Sequence, residues 1–227
     1  MKLLTLETAK NAKTAKLNVL TGVLFLAPHK ESGVMNTCPY ADGCEKTCLN
    51  TSGRLRFDAA RDARIRRTKW FKTDRPGFLA ALREDIEALV RKAVREGKAP
   101  AVRLNGLSDL SWEKIDPDLF TDFPEVMFYD YTKSRARYCS WLLALKGLDG
   151  YWPKNYHLTM SAGAGWTDTD TKSILNAGGT VAIVYHELPE HAINGDEHDA
   201  RWLDPAPCIV GLKAKGAARK TDAPFVH

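Results

Sequence analysis

Three of the five cysteines in this chain, Cys38, Cys44 and Cys48, fall within the single segment NTCPYADGCEKTCLN. Thiolates are soft anionic donors, and three on one short loop can converge on a metal or a cluster with little further loss of chain entropy. Their spacing, C-x5-C-x3-C, separates the possible chemistries. A structural zinc ion asks for a fourth ligand and commonly shows paired C-x2-4-C knuckles. An iron–sulfur cluster is a larger object whose irons take ligands from separate points of a loop. The spacing therefore favours an iron–sulfur cluster, with zinc and an unmetallated redox set as the alternatives. Cys139, in SRARYCSWLL, is expected on a helix as a small buried hydrophobe, and Cys208 is expected to open the last strand at the edge away from the site. A fourth cysteine ligand is thus not expected, and the preferred reading leaves one iron open.

Seven further residues form a candidate ligand-binding set: Arg103, Asn105, Asp109, Lys133, Ser161, Lys213 and Lys215. Each follows or ends a short apolar run, at the side where barrels and doubly wound sheets gather their ligands. Asn105 and Asp109 could hydrogen-bond hydroxyl or amino groups, although Ser108 or Asp109 could equally cap the next helix. Lys133 is a cation able to meet a carboxylate or phosphate. Lys213 and Lys215, separated by one residue of an expected strand, should face the same side and would make an anion pocket if they point inward. The acidic stretch NGDEHDARWLDP could supply an acid, a base or a hard-metal site. Its place before the last strand argues that His198 and Asp199 sit away from the strand ends.

These residues need a scaffold, and the hydrophobic pattern supplies one. LNVLTGVLFLAP, Leu17 to Pro28, reads as a buried strand or a hairpin through Gly22, and the cysteine loop follows directly. Gly53 to Asp74 reads as a basic helix with Asp58 and Asp62 spaced to meet its arginines. Asp74 can cap a second helix, Pro76 suits its first turn, and Leu79, Leu82, Ile86, Leu89 and Ala93 form its apolar stripe up to Gly97. Beyond it, AVRLNG, EVMFYDYT, NYHLTMSAG, GTVAIVYHE and CIVGLKAKG alternate with polar stretches, of which Lys133 to Leu145 and Thr169 to Asn176 suit helices. The alternation predicts an α/β fold with mostly parallel strands, an incomplete (β/α) barrel with the cysteine loop after its first strand.

With 227 residues, 44% of them hydrophobic, one α/β domain spans the chain, its core at 17–216 and its ends, 1–16 and 217–227, loosely attached. No apolar run is long enough to cross a bilayer, so no membrane partner is expected. The start, MKLLTLETAKNAKTAK, lacks the apolar core and cleavage site of a secretory signal. A cytoplasmic setting follows, in which thiols stay reduced. The net charge of +5 favours an anionic partner but falls short of a dedicated nucleic-acid binder.

LAPHKESGVMNTCPYADGCEKTCLNTSGR, VRLNGLSDLSWE, FYDYTKS and GDEHDARWLDP with IVGLKAKG resemble the phage protein family called gene product 88, from Leu17 to Gly216. The resemblance implies a phage or prophage source and hence the host-cell cytoplasm; it implies no reaction. More distantly, three cysteines after the first strand of a partial barrel are similar to radical S-adenosylmethionine enzymes, where they hold a 4Fe-4S cluster whose open iron binds the cofactor. The spacing departs from that superfamily's C-x3-C-x2-C, and its glycine-rich motif after the second strand is not found here. The expectation is a cluster-dependent, radical S-adenosylmethionine-like enzyme acting on a small anionic or nucleotide-like substrate. The alternative is a non-catalytic zinc or iron–sulfur protein that binds nucleic acid through its basic helix, with Arg61, Arg64 and Arg67 on the phosphates.

Overall fold

A computed structural model describes residues 1–6, 14–41, 43–148, 150–220, 223 and 225–227. Its longest helix is the one whose local signals agree best. Asp74 accepts from the Gly77 N–H, Pro76 lies in the first turn, and the helix runs Arg75–Arg95 with Phe78, Leu82, Ile86, Leu89 and Ala93 buried along one stripe. We label it α2. The basic segment before it forms a 3-10 turn, Gly53–Arg56, and then α1, Asp58–Thr73. The expected continuous helix from Gly53 is therefore broken at Phe57, which sits in extended backbone as the cap of α1. Shorter helices follow: α3 (Trp112–Ile115), α4 (Asp118–Asp122), α5 (Arg135–Leu145) and α6 (Asp168–Asn176).

The strands are β1 (Leu4–Thr5), β2 (Val19–Leu24), β3 (Ala99–Arg103), β4 (Met127–Thr132), β5 (Tyr156–Ser161), β6 (Thr180–Tyr185), β7 (Ile193–Asn194) and β8 (Cys208–Lys213). They form one eight-stranded sheet in the order β1-β2-β3-β4-β5-β6-β8-β7. Only β1 runs antiparallel to its neighbour, pairing Leu4 with Leu24. The sheet is open, with β1 and β7 at its edges. Leu17 to Pro28 contains no hairpin: β2 is a single strand buried at every position, as a parallel strand covered on both faces must be. The cysteine loop accordingly follows the first parallel strand, but the second strand of the chain, because β1 precedes it.

The described parts of the ends are packed. Leu3 and Leu4 are buried, and their backbone N–H groups donate to Asp85 at 2.6 and 2.9 Å. At the other end Phe225 is buried and Val226 bridges to Val184 of β6. The expectation of loosely attached ends fails for these residues; residues 7–13, 221, 222 and 224 lie outside the described part.

The side-chain alternation divides the sheet into two unlike faces. Leu20, Leu24, Val102, Leu104, Phe128, Leu158, Met160, Val181 and Ile183 join the main core with residues of α1 to α6. Among the described residues, the alternate positions pack against turns and loop segments. There Val19, Ala101 and Tyr129 pack against Trp202 of a 3-10 turn, Arg201–Leu203. Val23, Phe25 and Leu107 pack against Leu49 and Leu55 of the cysteine loop region. The functional candidates are held on this second face. Among the described residues no helix is long and apolar enough to cross a membrane.

Candidate functional site: a thiol-bearing, cationic cavity

The cysteine loop is tied to the strand ends by its first thiol and the residue before it. Thr37 donates its hydroxyl to the Ala27 carbonyl at 2.5 Å, and its own carbonyl accepts from the Asp109 N–H at 2.8 Å. The Cys38 sulfur receives the His29 N–H at 3.2 Å and lies 3.3 Å from the Leu107 carbonyl. Gly43, with φ at 78°, makes the left-handed step that opens the 3-10 turn Cys44–Thr47. Cys44 packs beside Ala214, Ala218 and Phe225 of the C-terminal segment. Cys48 ends the turn in extended backbone, and its carbonyl accepts from Thr51 through both N–H and hydroxyl. All three thiols are free, partly buried and open onto one cavity.

That cavity has a volume of about 1150 Å³ and lies over this second face at the C-terminal ends of the strands, with α1 along one wall. Arg103, Asn105, Asp109, Lys133, Ser161, Lys213 and Lys215 all line it together with the three cysteines. Among the described residues its wall carries seven cationic side chains, Arg54, Arg64, Arg67, Arg103, Lys133, Lys213 and Lys215, against two acidic ones, Asp109 and Asp199. The excess of five positive charges equals the net charge of the whole chain.

The shared wall conceals different roles. Asn105 is saturated by protein: its amide donates to the Leu110 carbonyl and Asp130, and its oxygen accepts from Ser108 and the Leu110 N–H. Four bonds exhaust a carboxamide, so Asn105 shapes the β3–α3 turn instead of offering its side chain to a ligand. Ser108 and Asp109 cap no helix; Ser111 precedes α3 without a side-chain cap, while Asp109 accepts from the Lys133 N–H at 2.9 Å and from Arg137 at 3.3 Å. Lys133 reaches the Ala162 carbonyl at 2.6 Å and Ser161 at 3.4 Å, with its ammonium 5.5 Å from the Phe225 ring. Lys213 ends β8 and Lys215 follows it in extended backbone; the two face the same cavity, with buried Ala214 between them, but both stand exposed at its rim, Lys215 paired with Asp196.

Several wall residues carry no local signal in the sequence. Asp199, expected away from the site, lies on the cavity floor, where it accepts from Arg103 at 3.0 Å, Tyr129 at 3.1 Å and Tyr131 at 3.2 Å. His198 does sit apart, 3.5 Å from Asp204. Arg64 and Arg67 turn inward from α1, and the acid that meets Arg61 and Arg64 is Glu31 of the preceding loop. Cys139 is exposed on α5, not buried as expected, and Cys208 opens β8 beside Thr180, away from the cavity.

Burial dominates the electrostatics. It raises the thiols of Cys38 and Cys44 above their ordinary range and pushes Cys48 up to about 12. It likewise raises the carboxyl of Asp109. A thiolate here is disfavoured unless a bound cation compensates it. Among the described residues no group of three or more His, Cys, Asp or Glu side chains is arranged so that it could hold a metal ion.

Fold and site together define an α/β protein with a mostly parallel sheet and a thiol-bearing, cationic cavity at its strand ends. The chain belongs to the Gene product 88 family, which it matches over residues 2–226, and that membership supports a bacteriophage origin. The family description names no reaction, and the match gives no support to a relationship with radical S-adenosylmethionine enzymes. No curated protein and no solved structure matches the chain.

Proposed function

We propose that Cys38, Cys44 and Cys48 hold a 4Fe-4S cluster at the mouth of an incomplete (β/α) barrel, and that the protein is a cluster-dependent enzyme acting on a small anionic or nucleotide-like ligand in the host-cell cytoplasm. The observation that carries this reading is the convergence of three free thiols and seven cationic side chains on one cavity. Strands β2 to β6 lie in chain order with residues of all six helices packed into the core on one face, as right-handed crossovers stepping in one direction require. Such a sheet curls toward a barrel and leaves a concave inner face whose C-terminal end is the usual ligand site.

A cluster with three protein thiolates supplies an iron open to an external ligand, for which S-adenosylmethionine is the candidate by likeness to radical enzymes. The protein's own residues supply the pocket around it. Lys133, fixed by Ser161 and the Ala162 carbonyl, carries its charge to the cavity wall beside the thiol loop, where it can neutralise a phosphate or carboxylate. Arg103, held by Asp199, makes a rigid polar floor. The volume exceeds the range of about 300–1,000 Å³ usual for small-molecule sites, so a cofactor and a substrate can share it. The competing reading, nucleic-acid binding through α1, loses two of its three arginines, because Arg64 and Arg67 face the cavity.

Iron and acid-labile sulfide analysis of anaerobically purified protein tests the proposal. Four irons and four sulfides per chain, with a broad absorption at about 400 nm, are expected. Replacing any of the three cysteines by alanine should lower all three readings. One zinc and no sulfide would overturn the cluster. Perturbation of the reduced protein's paramagnetic resonance by S-adenosylmethionine tests the cofactor.

A further inference from the structure

We propose that Arg64 and Arg67 form an anion-recognising subsite on the α1 wall of the cavity, which takes the phosphate group of a nucleotide-like ligand. This deepens the reading of the cavity as a site for an anionic ligand and rests on it, without depending on a cluster. Ala60, Ala63, Arg64 and Arg67 all line the cavity from α1. Their positions, at intervals of three and four, make one stripe along one helix face. The two alanines leave space beside the sheet, and the two arginines carry the charge.

Arg64 is only 2% exposed, yet its Nε has no hydrogen-bond partner, and the buried Nε of Arg67 has none either. Both guanidinium groups are nevertheless held in place by backbone carbonyls. Arg64 donates to Leu55 at 2.9 Å, and Arg67 donates to Lys2 at 3.1 Å. A carbonyl orients a guanidinium but does not neutralise it; the acid whose charge acts on Arg67 is Asp85, which is already engaged by the Leu3 and Leu4 N–H groups. Glu31, 3.7 Å from Arg64, is shared with exposed Arg61 at 3.2 Å and lies outside the main cavity. Buried N–H groups without an acceptor are expensive and rare in proteins. A phosphate offers several acceptor oxygens and negative charge together, in the geometry that the planar fork of arginine matches best. Two such forks on one helix stripe that lines the cavity, one of them buried, suit an oxyanion.

Titration calorimetry on the full chain, purified anaerobically, with inorganic pyrophosphate as the probe, tests this. Wild-type protein is expected to bind, and Arg67→Met to weaken binding at least tenfold. Arg67→Lys, which keeps the charge and loses the fork, should fall between them. Arg66→Met, on the exposed side of α1, should bind like wild type. Circular dichroism confirms folding; Arg67 is chosen over the more deeply buried Arg64 for that reason. Absence of wild-type binding, unchanged binding in Arg67→Met, or an equal loss in Arg66→Met overturns the subsite. Iron and sulfide content is scored separately, so these results leave the cluster proposal intact.

Discussion

Arg103 and Asp199, 96 positions apart in the chain, meet at 3.0 Å on the cavity floor with both side chains buried. Two charges withdrawn from water are tolerated only when the remaining donors and acceptors are satisfied as well. Here Tyr129 and Tyr131 donate their hydroxyls to the carboxylate, and Arg103 donates to the Asn105 carbonyl while stacking 4.6 Å from the Tyr131 ring centre. The pair joins β3 to the segment ahead of β8.

Removing one partner should therefore be costly. Asp199→Ala is expected to destabilise the fold by about 3–5 kcal/mol, the range for leaving a buried charge uncompensated. Urea denaturation measures it. The double variant Arg103→Met with Asp199→Leu should recover much of the loss, because it removes both charges and fills the space.

Asp130 gives stability a pH dependence. It is fully buried against Asn105 and Tyr156, and burial pushes its carboxyl up to about 7 from the ordinary 3.8. The folded chain therefore holds this proton more tightly than the unfolded one. The contribution to stability is complete below about pH 4 and is lost as the pH rises through about 7. Denaturation midpoints of wild type and Asp130→Asn between these limits should diverge in slope, the wild type losing on the order of a few kcal/mol that the variant does not.

The thiols should react in a fixed order in metal-free protein. Burial keeps Cys38, Cys44 and Cys48 protonated at neutral pH, Cys48 most strongly, and a protonated thiol is a poor nucleophile. Cys139 is exposed on α5. Timed iodoacetamide labelling followed by peptide mass analysis should find Cys139 modified first and Cys48 among the last.

Gly106 sits where the β3–α3 turn crosses β2. A Cβ there would come within 2.6 Å of Phe25 and 2.7 Å of the Leu24 carbonyl, to which the Gly106 N–H itself donates at 3.0 Å. Backbone cannot step aside as a flexible side-chain tip can. Gly106→Ala should cost about 1–3 kcal/mol, the range for overpacking a well-filled site. A thermal melt reads the loss.

Much of this was legible in the sequence because it is local. The cap at Asp74, the stripe from Leu82 to Ala93 and the five apolar runs recur in the structure as α2 and strands β3 to β6 and β8, with ends shifted by a few residues. The three thiols and the polar residues at the strand ends were also visible, since strand direction alone places such residues at one edge. The short strand β1 was not: two residues carry no period, and only pairing with Leu24 and Val23 makes them a strand. Asn105 has the same sequence signature as a ligand-binding residue, and only its four protein partners reveal a turn-builder.

Residue types and their periodicity determined the longer helices and strands, and that a loop of soft donors follows a buried strand. Tertiary structure alone decided that Asp199 closes on Arg103 and that Arg64 and Arg67 of a basic helix look inward. The physical reason is that periodicity reports the environment of a face averaged over a few turns. An ion pair across the sheet depends on where distant segments of chain come to rest, and burial there reverses the usual preference of charge for water.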